Sequence, residues 1–300
     1  MTTRKNIAAS VRQRLLNRAK SDQRPFAELL QYYAMERFLY RLSRSAHAQR
    51  FILKGALMLR VWQAPVFRPT MDIDMLAKTG NEEEKIISQI TEVLNVEVEP
   101  DGLDFNTDFI QSERITEDAD YQGIRVRFRG TLDSARINMQ LDIGFGDIVH
   151  PDPIESELPT LLDFAAPRLL CYSRESAIAE KFEAMVKLGI LNSRMKGFYD
   201  IWMLSRQFNF NGDQLKQAIL LTFRQRGTSL SENIIAFQES FSAEKQVQWT
   251  AFRRRLGQEH LPKNFADIVD QVSRFLAPIG EAASVGQSFD KDWSAPVGWQ

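Results

Sequence analysis

Cysteine is almost absent: Cys171 is the single one in 300 residues. No intrachain disulfide and no Cys-rich zinc module can form. Histidine is nearly as scarce. His47, His150 and His260 lie far apart in sequence and leave no local zinc-ligand spacing. No stretch approaches the roughly 18 consecutive apolar residues that read as a spanning helix. The opening MTTRKNIAASVRQ lacks the apolar core and cleavage pattern of a signal peptide. The expectation is a cytoplasmic protein with no membrane partner. An excess of one charge is also missing: Lys plus Arg is 38, Asp plus Glu is 39, and the net charge is −1. That excludes a globally basic nucleic-acid coat and makes any charge steering local. Internal repeats and low-complexity tracts are absent as well.

What is present is core. Hydrophobic residues make up 44% of the chain, enough for one large domain or two modest ones. The charge is segregated. Residues 1–50 carry eleven basic and three acidic side chains, a local net of +8, whereas residues 71–120 carry fifteen acids and three bases, a net of −12. Such polarity fits a protein that meets a polyanion on one side and cations on another. It equally fits solvated helix faces followed by an acidic loop.

The first 50 residues read as helices. Phe26, Leu29, Leu30, Tyr33, Phe38, Leu39 and Leu42 form an apolar stripe, and Arg24-Pro25 marks a start. The texture then shifts. Phe51–Arg60 is apolar and broken by Gly55. Asp72–Leu76, Val96–Val98, Ile124–Phe128 and Ile137–Ile143 read as strands, with a helix over Glu82–Leu94. Arg125-Val-Arg-Phe-Arg129 alternates as a half-solvated strand should. Four prolines between Pro151 and Pro167 suggest an irregular crossover. Everything beyond reads helical: Ala177–Leu191, Arg194–Arg206, a helix after the Asn211 cap, and one over Phe265–Leu276 that stops near Pro278. Trp293 and Trp299 lie in an irregular tail that could dock by its aromatics. The fold class is therefore α+β, a small mixed sheet followed by helices. The expected divisions are N-terminal basic helices over 1–50, an α/β core over 51–165, a helical domain over 166–286 and a tail over 287–300.

The sharpest chemical feature is Asp72-Ile73-Asp74. In a strand both carboxylates project from one face. Close together they repel, and solvent, protons or cations must offset that. A divalent cation such as Mg²⁺ takes oxygen ligands of this kind. Many surface strands carry such a pair, so the context matters. Lys54-Gly55-Ala56 reads as a strand, a glycine turn and a helix start, with backbone amides turned to an anion. Asp142 lies in another strand-like run. If the two strands are neighbours, three carboxylates converge, as a two-metal phosphoryl-transfer site requires. Other residues carry less. His150 reads as a capping or surface residue, Cys171 as a small buried hydrophobe, and Arg253-Arg-Arg255 as a solvated helix face.

Five segments occur in order: Phe51-Ile-Leu-Lys-Gly55, Arg68-Pro-Thr-Met-Asp-Ile-Asp74, Leu141-Asp-Ile-Gly-Phe-Gly-Asp147, Ile178-Ala-Glu-Lys-Phe-Glu-Ala-Met185 and Asn192-Ser-Arg-Met-Lys-Gly-Phe-Tyr-Asp-Ile-Trp202. Together they resemble the AbiEii/AbiGii-type nucleotidyltransferase toxins of the DNA-polymerase-beta-like superfamily, over roughly residues 10 to 205. The resemblance implies a nucleotidyltransferase fold with Asp72 and Asp74 as the metal pair and Asp142 as the third acid. It implies Gly55 as the phosphate turn, Lys181 as a contact to the nucleoside triphosphate, and Asp200 as a late essential acid. Lys54, Ala56 and Lys196 fall within its nucleotide-binding motifs. Two positions depart from the pattern. Ala56 and Leu57 stand where many relatives have a hydroxyl, and Gly197 stands where an acid is expected.

The function this implies is transfer of a nucleoside monophosphate from a nucleoside triphosphate, with Mg²⁺ or Mn²⁺, to an acceptor such as tRNA. The protein would be the toxin of a toxin–antitoxin or abortive-infection system, restrained by a cognate antitoxin. The basic N-terminal helices are the expected RNA surface. The rival from another class is a nucleotidyltransferase fold that binds nucleotide and no longer catalyses, motivated by Ala56 and Gly197. Lys196 and Asp200, four apart on one helix face, also read as an ordinary surface ion pair.

Overall fold

The computed structural model describes residues 2–64, 69–117, 121–230, 233–257 and 261–300. Arg68 and His260 lie outside the described residues. The chain divides into two compact units, Met1–Gly146 with Ile154–Cys171, and Asp147–Pro153 with Tyr172–Gln300.

The first unit begins with helices α1 (Thr2–Ser21) and α2 (Phe26–Arg44), then strand β1 (Phe51–Lys54) and the short helix α3 (Met58–Val61). Strand β2 (Ile73–Ala77), helix α4 (Glu83–Leu94) and strands β3 (Leu103–Glu117), β4 (Tyr121–Leu132), β5 (Ala135–Phe145), β6 (Ile154–Glu157) and β7 (Arg168–Cys171) follow. The strands form one mixed sheet in the order β3-β4-β5-β2-β1-β7-β6. The pairs β2–β5 and β1–β7 are parallel.

The alternation seen in the sequence sorts this sheet into two faces. Ile124, Val126 and Phe128 of β4 and Ile137, Met139, Leu141 and Ile143 of β5 are buried, and helices α2 and α4 pack onto the sheet. The Phe38 ring of α2 lies 5.3 Å from Phe128 and 6.4 Å from Phe105. Burying each such ring contributes about 1.5–3 kcal/mol. The other face carries Arg125, Arg127 and Arg129 of β4 and Asn138, Gln140 and Asp142 of β5, all at least partly exposed.

The two charged blocks of the sequence meet inside this unit. Asp101, 2% exposed, accepts from Arg37 Nε at 3.2 Å and from Arg41 Nη1 at 2.7 Å. It also caps the Leu103 amide, while the Tyr33 hydroxyl donates to its carbonyl. Arg14, Arg18 and Arg24 pair with Asp163, Asp22 and Glu28. Arg37 and Arg41 thus tie α2 to the rest of the unit from within, whereas Arg14 and Arg18 form ion pairs at the surface. Lys20, Arg44 and Arg50 are exposed.

The second unit holds helices α5 (Arg174–Leu188), α6 (Met195–Gln207), α7 (Gly212–Gln225), α8 (Glu239–Leu256) and α9 (Phe265–Ser284). Strands β8 (Phe210–Asn211), β9 (Asp292–Ser294) and β10 (Gly298–Trp299) make a small sheet. Ser173 and Asn211 cap α5 and α7 by accepting from the Ser176 and Gln214 amides, as such residues do at helix starts. The Ser173 and Ser176 hydroxyls also donate to the His150 carbonyl. The tail docks by its aromatics: Trp293 and Trp299 lie 4.7 and 5.6 Å from Phe275. Arg253, Arg254 and Arg255 occupy the last turn of α8. Within this unit Arg226 pairs with Asp147, Glu180 and Glu183.

Several expectations need correction. Val96–Val98 is no strand but follows the end of α4, whereas β3, within the acidic block, is the longest strand described. The proline-rich crossover contains β6, and β7 follows it, so the chain is not purely helical from there. The prolines flank β6 and do not interrupt it, which an edge strand permits. Helix α9 runs through Pro278 to Ser284. An internal proline costs about 3 kcal/mol, but Ile279, Ala282 and Ala283 continue the buried stripe beyond it. Cys171 is buried and its thiol is pushed up to about 12 by that burial, as befits an inert core residue.

Two stability outcomes follow from buried charge. Asp101→Ala leaves two buried guanidiniums without their carboxylate, so chemical denaturation should show a loss of about 3–5 kcal/mol. Glu36, 1% exposed, accepts from the Leu161 amide through Oε2 while Oε1 has no hydrogen-bond partner among the described residues. Burial lifts its carboxyl from the usual 4.5 to about 7. The folded chain therefore holds this proton more tightly than the unfolded chain. The associated stabilisation is full below pH 4.5 and is lost as pH rises through about 7. Melting curves at pH 5 and pH 8 should show a smaller fall in Tm for Glu36→Gln than for the wild type.

Candidate functional site

The parallel register of β2 and β5 sets Asp74 opposite Asp142. Asp72 stands two residues before Asp74, in the bend just ahead of β2. One carboxylate oxygen from each of Asp72, Asp74 and Asp142 lies within 4.8 Å of the other two. Among the described residues this is the one group of three His, Cys, Asp or Glu side chains placed to hold a metal ion. All three are partly exposed, so a cation can reach them.

Each acid is positioned by a neighbour. The Thr70 hydroxyl donates to Asp72 Oδ1. Arg125, opposite Asp142 across β4–β5, donates from Nε to Oδ1 at 2.7 Å and from Nη2 to Oδ2 at 2.8 Å. This two-pronged geometry suits guanidinium and carboxylate. It pushes the Arg125 pKa still higher, chiefly through the hydrogen bonds to Asp142. Gln140 Nε2 adds a donor to Asp142 Oδ2 at 3.3 Å. Asp74 is fitted against Gly55, the first residue after β1. Gly55 has φ +72°, and a Cβ there would lie 1.9 Å from Asp74 Oδ2. Only glycine therefore lets the chain turn at this point with the carboxylate in place. The turn continues as one 3₁₀ turn over Gly55–Leu57, after Lys54, which faces Asp74 across β1–β2. Ala56 is buried, so what this turn can offer an anion is backbone amide.

The donor set consists of hard carboxylate oxygens, which suit Mg²⁺ or Mn²⁺ and not a soft metal. Asp72 and Asp74 fit such an ion well. Asp142 would share its oxygens between the ion and Arg125.

The remaining expected residues belong to the second unit. Lys181 on α5 lies 3.9 Å from Asp200 Oδ2 on α6, and its ammonium donates to the Ala177 carbonyl at 3.3 Å. Asp200 is buried, 4% exposed. Lys196 is exposed and makes no ion pair with a described residue, so the surface pair Lys196–Asp200 is replaced by the more buried Lys181–Asp200. At Gly197 a Cβ would meet Met185 and Lys181 only at ordinary contact distance, so packing does not demand glycine there.

Thr70, Arg125 and Gln140 were not anticipated. For Arg125 a signal existed. The hairpin pairs Leu132 with Ala135 around Asp133-Ser134, and counting back from that turn places Arg125 opposite Asp142.

Compared with known families, residues 37–271 match the model described as "Nucleotidyl transferase AbiEii toxin, Type IV TA system". Among solved structures, the chain is similar to a Helicobacter pylori protein provisionally called a nucleotidyltransferase. That match has 14% identity and a TM-score of 0.43, covering 86% of this chain and 95% of that one. JHP933 from Helicobacter pylori matches at 12% identity and a TM-score of 0.43, covering 86% of this chain and 92% of that one. No curated protein matches.

Gly55→Ala tests the fit of the turn against the acids. The added methyl must displace the Asp74 carboxylate. Mn²⁺ affinity, read by electron paramagnetic resonance, should fall about tenfold or more, the size of a roughly 1.4 kcal/mol loss. Mn²⁺ binding equal to wild type would show that the turn does not shape the acid cluster.

Proposed function

Because this chain belongs to the AbiEii nucleotidyltransferase toxin family of type IV toxin–antitoxin systems, we propose that it moves a nucleoside monophosphate from a nucleoside triphosphate to a hydroxyl of an RNA acceptor, tRNA foremost. The observation that carries this reading is the convergence of Asp72, Asp74 and Asp142. Asp72 and Asp74 would hold Mg²⁺ or Mn²⁺, with Asp142 as a shared third ligand. Bound there, the cation supplies Lewis-acid polarisation of the phosphoryl oxygens and eases ionisation of the attacking hydroxyl.

The chain's own groups do the rest. Asp142, held by the Arg125 fork, orients the acceptor hydroxyl and receives its proton. The hydroxyl oxygen bonds to the α-phosphorus, the bond from that phosphorus to the α–β bridging oxygen breaks, and pyrophosphate leaves with the electron pair. Amides of the Gly55 turn meet phosphate oxygens, as free N–H groups at such turns do. On the family pattern, Lys181 is the cation proposed for the triphosphate, with Asp200 positioning its ammonium. Among the described residues of the N-terminal segment, the exposed Lys20, Arg44 and Arg50 are proposed for RNA contacts. Action on tRNA places the reaction in the cytoplasm, and no helix among the described residues is long and apolar enough to cross a membrane. A toxin of this class has a cognate antitoxin as partner.

Asp72→Ala and Asp74→Ala should each abolish incorporation of labelled nucleotide into total RNA and relieve growth arrest, while far-UV circular dichroism stays native. Full incorporation in either variant would sink the mechanism. Binding of Mg²⁺–NTP without incorporation by the wild type would favour the binding-module reading instead.

A further inference from the structure

Strand β3 does not run evenly along β4. Between Asn106 and Gln111, five residue steps on β3 match only two on β4, from Arg129 to Arg127. The extra residues bulge out of the ladder. The Asn106 side chain steadies the bulge by accepting from the Asp108 amide at 2.7 Å. Bulges of this kind occur near functional sites, where they re-aim a side chain. Here the side chain is Phe109, an aromatic 54% exposed on an edge strand, with the Arg129 guanidinium 5.5 Å from its ring centre. Phe109 forms one wall of a cavity of about 330 Å³ that extends over Arg127, Arg129, Asn138 and Gln111 and ends at Asp72.

We infer that this cavity is the binding site for one unpaired nucleotide of the nucleic-acid acceptor, next to the atom that is modified. The inference rests on the transferase reading and names where its second substrate is held. The volume sits at the low end of ligand pockets, about 300–1,000 Å³, so it suits a single nucleotide and not a folded element. Phe109 supplies the stacking surface that unpaired bases use. Arg129 has no carboxylate partner among the described residues, and Arg127 shares Glu113 at 2.9 Å. Both are placed to meet a phosphodiester. The side-chain amides of Asn138 and Gln111 make no hydrogen bond among the described residues, so they are available to a base edge.

The side of the acid cluster on which the cavity lies decides for the acceptor over the triphosphate. In the sheet, β1 and the Gly55 turn flank β2 on one side, and β5, β4 and β3 flank it on the other. In-line displacement requires the attacking and leaving oxygens to lie on opposite sides of the phosphorus. With the leaving pyrophosphate at the Gly55 turn, the attacking hydroxyl arrives from the side of β5, where Asp142 and then the cavity lie.

The test uses the full chain and its variants Phe109→Ala, Phe109→Tyr and Arg129→Gln. Binding of a short fluorescein-labelled single-stranded RNA is read by anisotropy, and binding of Mg²⁺–NTP by calorimetry. Phe109→Ala should weaken RNA binding by about five- to a hundredfold, the effect of one lost base–aromatic stack. Phe109→Tyr should bind as wild type. Arg129→Gln should weaken RNA binding and reduce its salt slope by about one charge. Mg²⁺–NTP affinity should be unchanged throughout. RNA affinity unchanged in Phe109→Ala would overturn the inference, as would a loss confined to NTP. The transferase reading is judged separately: nucleotide incorporation with equal RNA affinity across the variants removes this site and leaves the enzyme. Weakened RNA binding in Phe109→Ala, in a wild type that incorporates nothing, leaves the site and removes the enzyme.

Discussion

Like charge held at close range is the constraint around which the first unit is arranged. Asp74 and Asp142 share a rung of the β2–β5 ladder, and with Asp72 they bring three carboxylate oxygens within 4.8 Å. At an effective dielectric constant of 20, two unit charges at this separation repel by on the order of 3 kcal/mol. The surrounding residues hold the arrangement from three directions. Thr70 donates to Asp72, Arg125 grips Asp142, and the absence of a side chain at Gly55 lets the Asp74 carboxylate lie against the backbone. Three carboxylates gathered in this way make a cluster of hard oxygens, the kind of donor set that a divalent cation takes.

Arg125 gives Asp142 a different character from its two companions. The guanidinium occupies both Asp142 oxygens and also lies 3.6 Å from Glu113. Asp72 accepts instead from the single hydroxyl of Thr70. The division of labour proposed for the site follows this difference. A carboxylate held by one hydroxyl suits an exchangeable ion, and one held by both prongs of a guanidinium suits a fixed orientation toward an incoming hydroxyl. A ligand that had to displace a two-pronged arginine contact would bind more weakly, so Asp142 ranks below Asp72 as a metal ligand.

The sequence made the centre of the sheet legible and its edges obscure. In β5 the buried Ile137, Met139, Leu141 and Ile143 recur at every second position, so its period shows directly, and β2 is marked by Ile73 set between two aspartates. β3 does not show it: Asp104, Asn106, Asp108, Gln111, Glu113 and Glu117 break the apolar pattern, and the bulge shifts its phase midway. An edge strand with one open face needs few apolar residues, and its pairing with β4 is a tertiary fact. Val96 and Val98 are branched but follow directly on α4 and have no strand beside them. The charge blocks were visible as composition, yet their meaning was not. The pairing of Arg37 and Arg41 with Asp101 joins residues 60 and more positions apart, a contact that no local spacing announces. The resemblance carried the acid triad, because its motifs name positions independently of the intervening loops. It did not reach Phe109 or Arg129, which lie outside those motifs.

The alternating arginines of β4 join these observations. In sequence Arg125, Arg127 and Arg129 are the solvated half of an amphipathic strand, and nothing more is needed to account for them. In the sheet they form a graded row that begins at the acid cluster and moves away from it. Arg125 is engaged with Asp142, Arg127 is shared with Glu113, and Arg129 rests on an aromatic ring. Neutralisation by carboxylates thus falls with distance from Asp142, and the cationic end of the row lies beside the one large exposed aromatic of β3. A surface meant only to keep a strand soluble has no reason to be graded in this way. The grading suits the proposed reading, in which a phosphodiester chain is drawn toward three carboxylates while the cations of the row are kept from collapsing onto them.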